Sequence, residues 1–159
     1  MKRLFFISCV VVVICLISLT IGEYSVKKDI DGWLNRAQVA ADATQMHTDL
    51  ERVKNAMEEN GMTSGYATYI WKTPDYNMAE IYKSVTALVK RADIISDLDE
   101  STTTYQVALD DLRGAIRELD LYAWEYKWRH SGYLIIIILL VVGSGCAVFV
   151  GMRYLKANI

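Results

Sequence analysis

Two uninterrupted apolar segments, Leu4 to Ile21 and Tyr133 to Gly151, lie near the ends of the chain, and every acidic residue falls between them. Each is uncharged and close to the ~20 residues that carry a helix across a ~30 Å hydrocarbon core, which predicts two membrane-spanning helices, over residues 4–22 and 132–152. The flanking tails, 1–3 and 153–159, are too short to fold. The working part is therefore expected in residues 23–131.

Within that middle segment the apolar spacing is helical. Tyr105, Leu109, Leu112, Ile116, Leu119, Ala123 and Tyr126 recur in alternating steps of four and three, a heptad seam. The same count passes through His130, Tyr133, Ile137, Leu140, Ser144, Ala147 and Gly151, which predicts one helix of ~48 residues, on the order of 70 Å, running from Thr104 into the membrane. Where the seam enters the apolar segment its residues turn small, and small residues let another helix backbone approach closely. A second long helix is expected to leave the first span and run to Glu59. It carries one stripe through Ile30, Leu34, Ala37 and Ala41 and another, displaced by two positions, through Val39, Ala43, Met46, Leu50, Val53 and Met57. The displacement reads as a change of supercoil or partner near Ala40.

Asn60-Gly61 is a helix stop, and Asn77 with Glu80 three residues later matches a capping box that opens a third helix with a stripe at Ile81, Val85, Leu88, Ala92 and Ile95. The Asp-, Ser- and Thr-rich run 97–104 reads as a turn. If the first helix rises from the membrane and the last returns to it, the third must rise as well. Residues 61–76 are then expected to bring the chain back as an extended segment, with Tyr66, Tyr69, Ile70 and Trp71 packed on the bundle. The predicted fold is all-α: two transmembrane helices bracketing an extracytoplasmic antiparallel bundle of three long helices plus this returning aromatic segment.

Charge sharpens the topology. Lys2 and Arg3 precede the first span and Arg153 and Lys156 follow the second, which places both termini in the cytoplasm and the middle outside. The apolar run after Lys2-Arg3 exceeds the ~7–15 residues of a signal-peptide core, favouring a retained anchor. Residues 23–131 hold all nineteen Asp and Glu against thirteen Lys and Arg, a net charge of −6. That excess argues against nucleic acid as a partner.

Candidate chemistry is sparse. Cys9, Cys15 and Cys146 all fall in the spans, where they can neither staple the middle segment nor build a zinc site in it; Cys9 and Cys146 share a similar depth. His47 has Glu51 one turn away, and His130 sits just outside the second span beside Arg129. Met46, Met57, Met62 and Met78 occupy stripe or loop positions suited to packing. The run Asp97, Asp99, Glu100 lacks the Gly and Glu that a calcium loop needs at its sixth and twelfth positions, where Thr102 and Ala108 stand. No nucleophile elbow, phosphate-binding glycine loop or His-Glu-x-x-His motif occurs, and no cofactor or metal is expected. Trp124 and Trp128, with Tyr122, Tyr126 and Tyr133, form an aromatic collar ahead of the second span, with Trp33 and Tyr24 available from the first helix.

Two spans bracketing an extracytoplasmic helical bundle resemble the input half of two-span bacterial chemoreceptors and sensor kinases. The resemblance is one of layout, without a shared motif, and only eight residues follow Gly151 where those proteins carry their signalling region. The resulting expectation is a non-enzymatic accessory or scaffold subunit of a membrane complex. Its partners would be the bilayer and other integral membrane subunits or further copies of itself. The candidate interface is Trp124, Trp128, His130, Tyr133, Ser144, Ala147 and Gly151. The alternatives are a ligand-sensing module with a separate output partner, and a small redox or metal-handling membrane protein.

Overall fold

The computed structural model describes residues 2–68, 70, 72–130 and 132–157. Helices account for nearly all of it: α1 (Lys2–Val26), α2 (Gly32–Gln38), α3 (Ala43–Glu59), α4 (Met78–Ser96), α5 (Thr103–Arg117), α6 (Ala123–His130) and α7 (Tyr133–Ala157). A π-helical turn, Lys27–Asp31, joins α1 to α2, and among the described residues the only β-type pairing is the isolated bridge between Tyr66 and Asn77. The chain divides into two compact units, residues 25–127 and the helical ends 1–24 with 128–159.

Residues 25–127 build a four-helix bundle, α2 to α5, in up-down-up-down order. The order follows from the core. One end buries Val26 and Ile30, then Val53 and Met57 of α3, then Met78, Ile81 and Val85 of α4. The other buries Ala37, Ala43 and Met46, then Leu88, Ala92 and Ile95, then Tyr105 and Leu109. The stripes on α3, α4 and α5 bury the residues their spacing predicts.

The bundle corrects the expected route of the chain. No single helix joins the first apolar segment to Glu59; the chain reverses at residues 39–42, and α3 itself is the descending element. The displaced stripe near Ala40 thus marks a helix break. Asp42 caps α3, its carboxylate accepting from Gln45 N at 2.7 Å, a bond that ordinarily stabilises by ~1 kcal/mol. Backbone groups exposed by the reversal are met from α5: Arg113 donates to Ala40 O at 2.6 Å, and the Tyr105 hydroxyl accepts from Ala43 N at 3.0 Å.

Because α3 returns the chain, residues 60–77 act as a cap over one end of the bundle. Gly61 at φ +69 ends α3, with Met62 N bonded to Met57 O at 2.8 Å and Gly61 N to Glu58 O at 3.0 Å, the paired bonds of a left-handed helix stop. Ala67 N to Tyr76 O and Met78 N to Gly65 O pin the loop shut. Buried Met62 and Ala67 anchor it, whereas Ile70, expected to pack, is 79% exposed. Tyr69 and Trp71 lie outside the described residues. The predicted cap at Asn77 holds, accepting from Ala79 N ahead of α4, and in the turn expected at 97–104 Thr102 accepts from Tyr105 N ahead of α5.

The predicted ~48-residue helix is also corrected. It is broken twice, at 118–122 after α5 and between His130, where α6 ends, and Tyr133, where α7 opens. Tyr122 at φ +45 and Gly132 at φ +73 occupy a left-handed conformation that no right-handed helix can contain. Leu119, Ala123 and Tyr126 nevertheless pack on the same core cluster, so the seam persists in burial while the helix does not.

In the other unit, α1 and α7 are each 25 residues long, ~38 Å at the α-helical rise. Their described apolar side chains are largely uncovered. Val13, Ile14, Leu16 and Ile17 are all about half exposed, as are Ile138, Leu139, Val141 and Val142, while Cys15 on the opposite face of α1 is buried. One helix, through Cys9–Gln38, is long and apolar enough by itself to cross a membrane.

Candidate interaction surfaces

The residues singled out from sequence fall in different settings. Trp124 is half-buried against the bundle core, beside buried Ala123 and Tyr126. Tyr126 turns inward and its hydroxyl donates to Gly61 O at 2.5 Å, tying α6 to the loop after α3. Trp128 is half-buried and His130 exposed, both in the unit that contains α7. Ser144 is exposed, and its hydroxyl donates to Val141 O at 3.0 Å within its own helix. Tyr133, Ala147 and Gly151 lie in α7, but their side chains, like that of Cys146, lie outside the described residues. Cys15 is buried and Cys9 half-buried. Of the two other members of the expected collar, Tyr24 is exposed and Trp33 is engaged elsewhere.

Trp33 belongs to a cluster that the sequence reading did not identify. Asp49 of α3 is 1% exposed, the one buried charged side chain among the described residues. Its Oδ1 accepts from Arg52 Nη1 at 3.2 Å, and Arg36 Nε of α2 lies 3.7 Å from Oδ2. Oδ2 is buried and accepts no hydrogen bond. Both guanidiniums also lie over the Trp33 ring, with their central carbons 4.9 Å (Arg36) and 4.2 Å (Arg52) from its centroid. One carboxylate, two cations and one indole thus tie α2 to α3. A signal was present: Asp49 falls three residues after Met46 and four before Val53, on the flank of the buried stripe, where an acid is rarely placed without a counter-charge.

A second feature is an open groove of about 640 Å3, lined by Tyr66, Lys72, Asp75, Glu80, Ser84 and Leu119 among others. Next to it, Tyr76 and Tyr122 pack with ring centroids 4.6 Å apart. Burial pushes the Tyr122 phenol above its ordinary range, and the nearby charges of Asp120, Asp75 and Glu125 add to the shift, as does Tyr76. Each of these disfavours the phenolate.

The acidic turn is internally satisfied. Asp99 accepts from Ser101 Oγ at 2.7 Å and Ser101 N at 2.9 Å; these bonds hold its carboxyl below the usual range. His47 Nε2 lies 3.9 Å from Glu51. Among the described residues no three His, Cys, Asp or Glu side chains converge as a metal would require. The chain matches no family model, no curated protein and no solved structure.

Proposed function

We propose that the chain is a two-span membrane protein whose bundle, residues 25–127, lies outside the membrane and whose basic tails are cytoplasmic. In this reading it serves as a non-enzymatic accessory or scaffold subunit of a membrane complex. One contrast carries the reading: among the described residues most apolar side chains of α1 and α7 are exposed or half-exposed, while the bundle between them buries its own stripes almost completely. Apolar surface left open along much of a 25-residue helix is stable in hydrocarbon and costly in water. A bundle that has consumed its apolar faces internally acts through its polar surface, which here is acidic.

Single cysteines at Lys2, Asp99 and Ile159, in a background lacking Cys9, Cys15 and Cys146, test the topology with an impermeant thiol reagent on intact cells. Labelling at 99 alone is expected, and labelling at either end overturns the orientation. Purification in mild detergent then tests the role. Stoichiometric membrane subunits co-purifying with the chain support the scaffold reading. The groove beside Tyr66 favours the second reading, a ligand-sensing module, and a monomer or homodimer that retains a small molecule supports it instead.

A further inference from the structure

The geometry points to a binding site for a small oxyanion, a phosphate or carboxylate, between the guanidiniums of Arg36 and Arg52 on the α2–α3 hairpin. This inference is independent of the scaffold reading. Each guanidinium carries five N–H donors in its plane, and a contact with an aromatic ring supplies no hydrogen-bond acceptor of carboxylate or phosphate strength. Asp49 takes little of that capacity. Arg52 gives it one hydrogen bond, and Arg36 approaches it only through Nε at 3.7 Å. The Arg36 and Arg52 side chains are 58% and 47% exposed, so their remaining donors face solvent.

Position adds to this capacity. Both guanidinium carbons sit over the same ring, at 4.9 and 4.2 Å from its centroid, and both groups approach the one Asp49 carboxylate. Two cations sharing one carboxylate leave a local charge of +1 within a segment whose net charge is −6. The pair is thus a basic spot on an acidic surface, on two packed helices whose turn is fixed by Arg113 and Tyr105. An anion seated there would offset the repulsion between the two guanidiniums that Asp49 only partly relieves.

The test uses the full chain in neutral detergent with 5-fluorotryptophan incorporated, the Trp33 19F resonance being assigned by Trp33→Phe. Sodium phosphate is titrated against sodium chloride at constant ionic strength, and in parallel micelles are doped with phosphatidylglycerol or with phosphatidylcholine. A saturable shift of the Trp33 signal is expected with phosphate or with the anionic lipid and not with chloride or phosphatidylcholine. Saturation by phosphate identifies a soluble oxyanion as sufficient; saturation by phosphatidylglycerol alone identifies a lipid headgroup. Arg36→Gln and Arg52→Gln should each weaken binding about tenfold, the equivalent of one charge-assisted hydrogen bond. Arg36→Lys keeps charge and fold but loses the fork, and should lie in between. Asp49→Asn removes the competing carboxylate and should tighten binding about threefold or more. The site is overturned if neither probe saturates, or if saturation is unchanged in Arg36→Gln and Arg52→Gln. Weaker binding in Asp49→Asn, with its thermal unfolding unchanged, would also overturn it.

Discussion

Removing the acid and removing the bases of the Trp33 cluster should have opposite weight. Asp49 is 1% exposed with one oxygen lacking a hydrogen bond, so folding strips it of water and returns one 3.2 Å bond and one 3.7 Å contact. A buried acceptor left unsatisfied costs ~1–3 kcal/mol. Its partners differ, because both arginines are half exposed and water can solvate them once the carboxylate is gone. Asp49→Met should therefore change stability by no more than ~1 kcal/mol and in either direction, as replacement of buried ionic groups by apolar ones often does. The double change Arg36→Met, Arg52→Met leaves the carboxylate buried without a counter-charge and removes two cation contacts with the Trp33 ring. A loss of ~3 kcal/mol or more is expected. For a unit of this size that is a fall in Tm of more than ~12 °C, against a few degrees for Asp49→Met. Thermal unfolding of the full chain in one detergent, followed by far-UV circular dichroism, compares the two directly. If Asp49→Met is as damaging as the double arginine variant, the carboxylate is a net stabiliser and the desolvation argument fails.

Alkaline stability should report on Tyr122. Its pKa is raised above the ordinary value of 10.0, so the folded state holds a proton that the unfolded state releases. The resulting stabilisation is that of the neutral phenol, complete below pH ~10 and lost as pH rises through the folded-state pKa. Wild type should therefore lose stability above pH ~10 faster than Tyr122→Phe, measured by denaturant unfolding across pH 8–11; parallel profiles would refute the assignment. Tyr105→Phe removes the acceptor for Ala43 N at the reversal between α2 and α3, and should cost ~1–3 kcal/mol in unfolding free energy. An unchanged midpoint would mean that water replaces the hydroxyl.

Much of the bundle was legible because burial follows helical spacing. The α3, α4 and α5 stripes, the Asn60-Gly61 stop and the caps at Asn77 and Thr102 are local devices, and local sequence specifies them. One misread element was equally local. Asp42 followed by Gln45 is a capping pattern like the one read correctly at Asn77, and it places the start of α3 where an unbroken helix was expected. Gly132, at φ +73, likewise marks a break that the uninterrupted apolar count across it does not show.

The breaks that sequence could not announce are those made by distant groups. Nothing in Glu118 to Tyr122 forbids a helix, and the apolar count passes through it without a change of phase. At that turn Tyr122 packs on Tyr76 and Leu121 is buried in the core, contacts made with residues far away in the chain. The Trp33 cluster is of the same kind, since Arg36 and Asp49 meet only because α3 folds back on α2. By itself the sequence determined that these segments are helical, most of the positions they bury and where α4 and α5 begin, because these depend on neighbours three and four positions away. The tertiary structure decided where the chain turns back and which charges face each other, because those outcomes depend on groups tens of residues apart, as between Arg113 and Ala40.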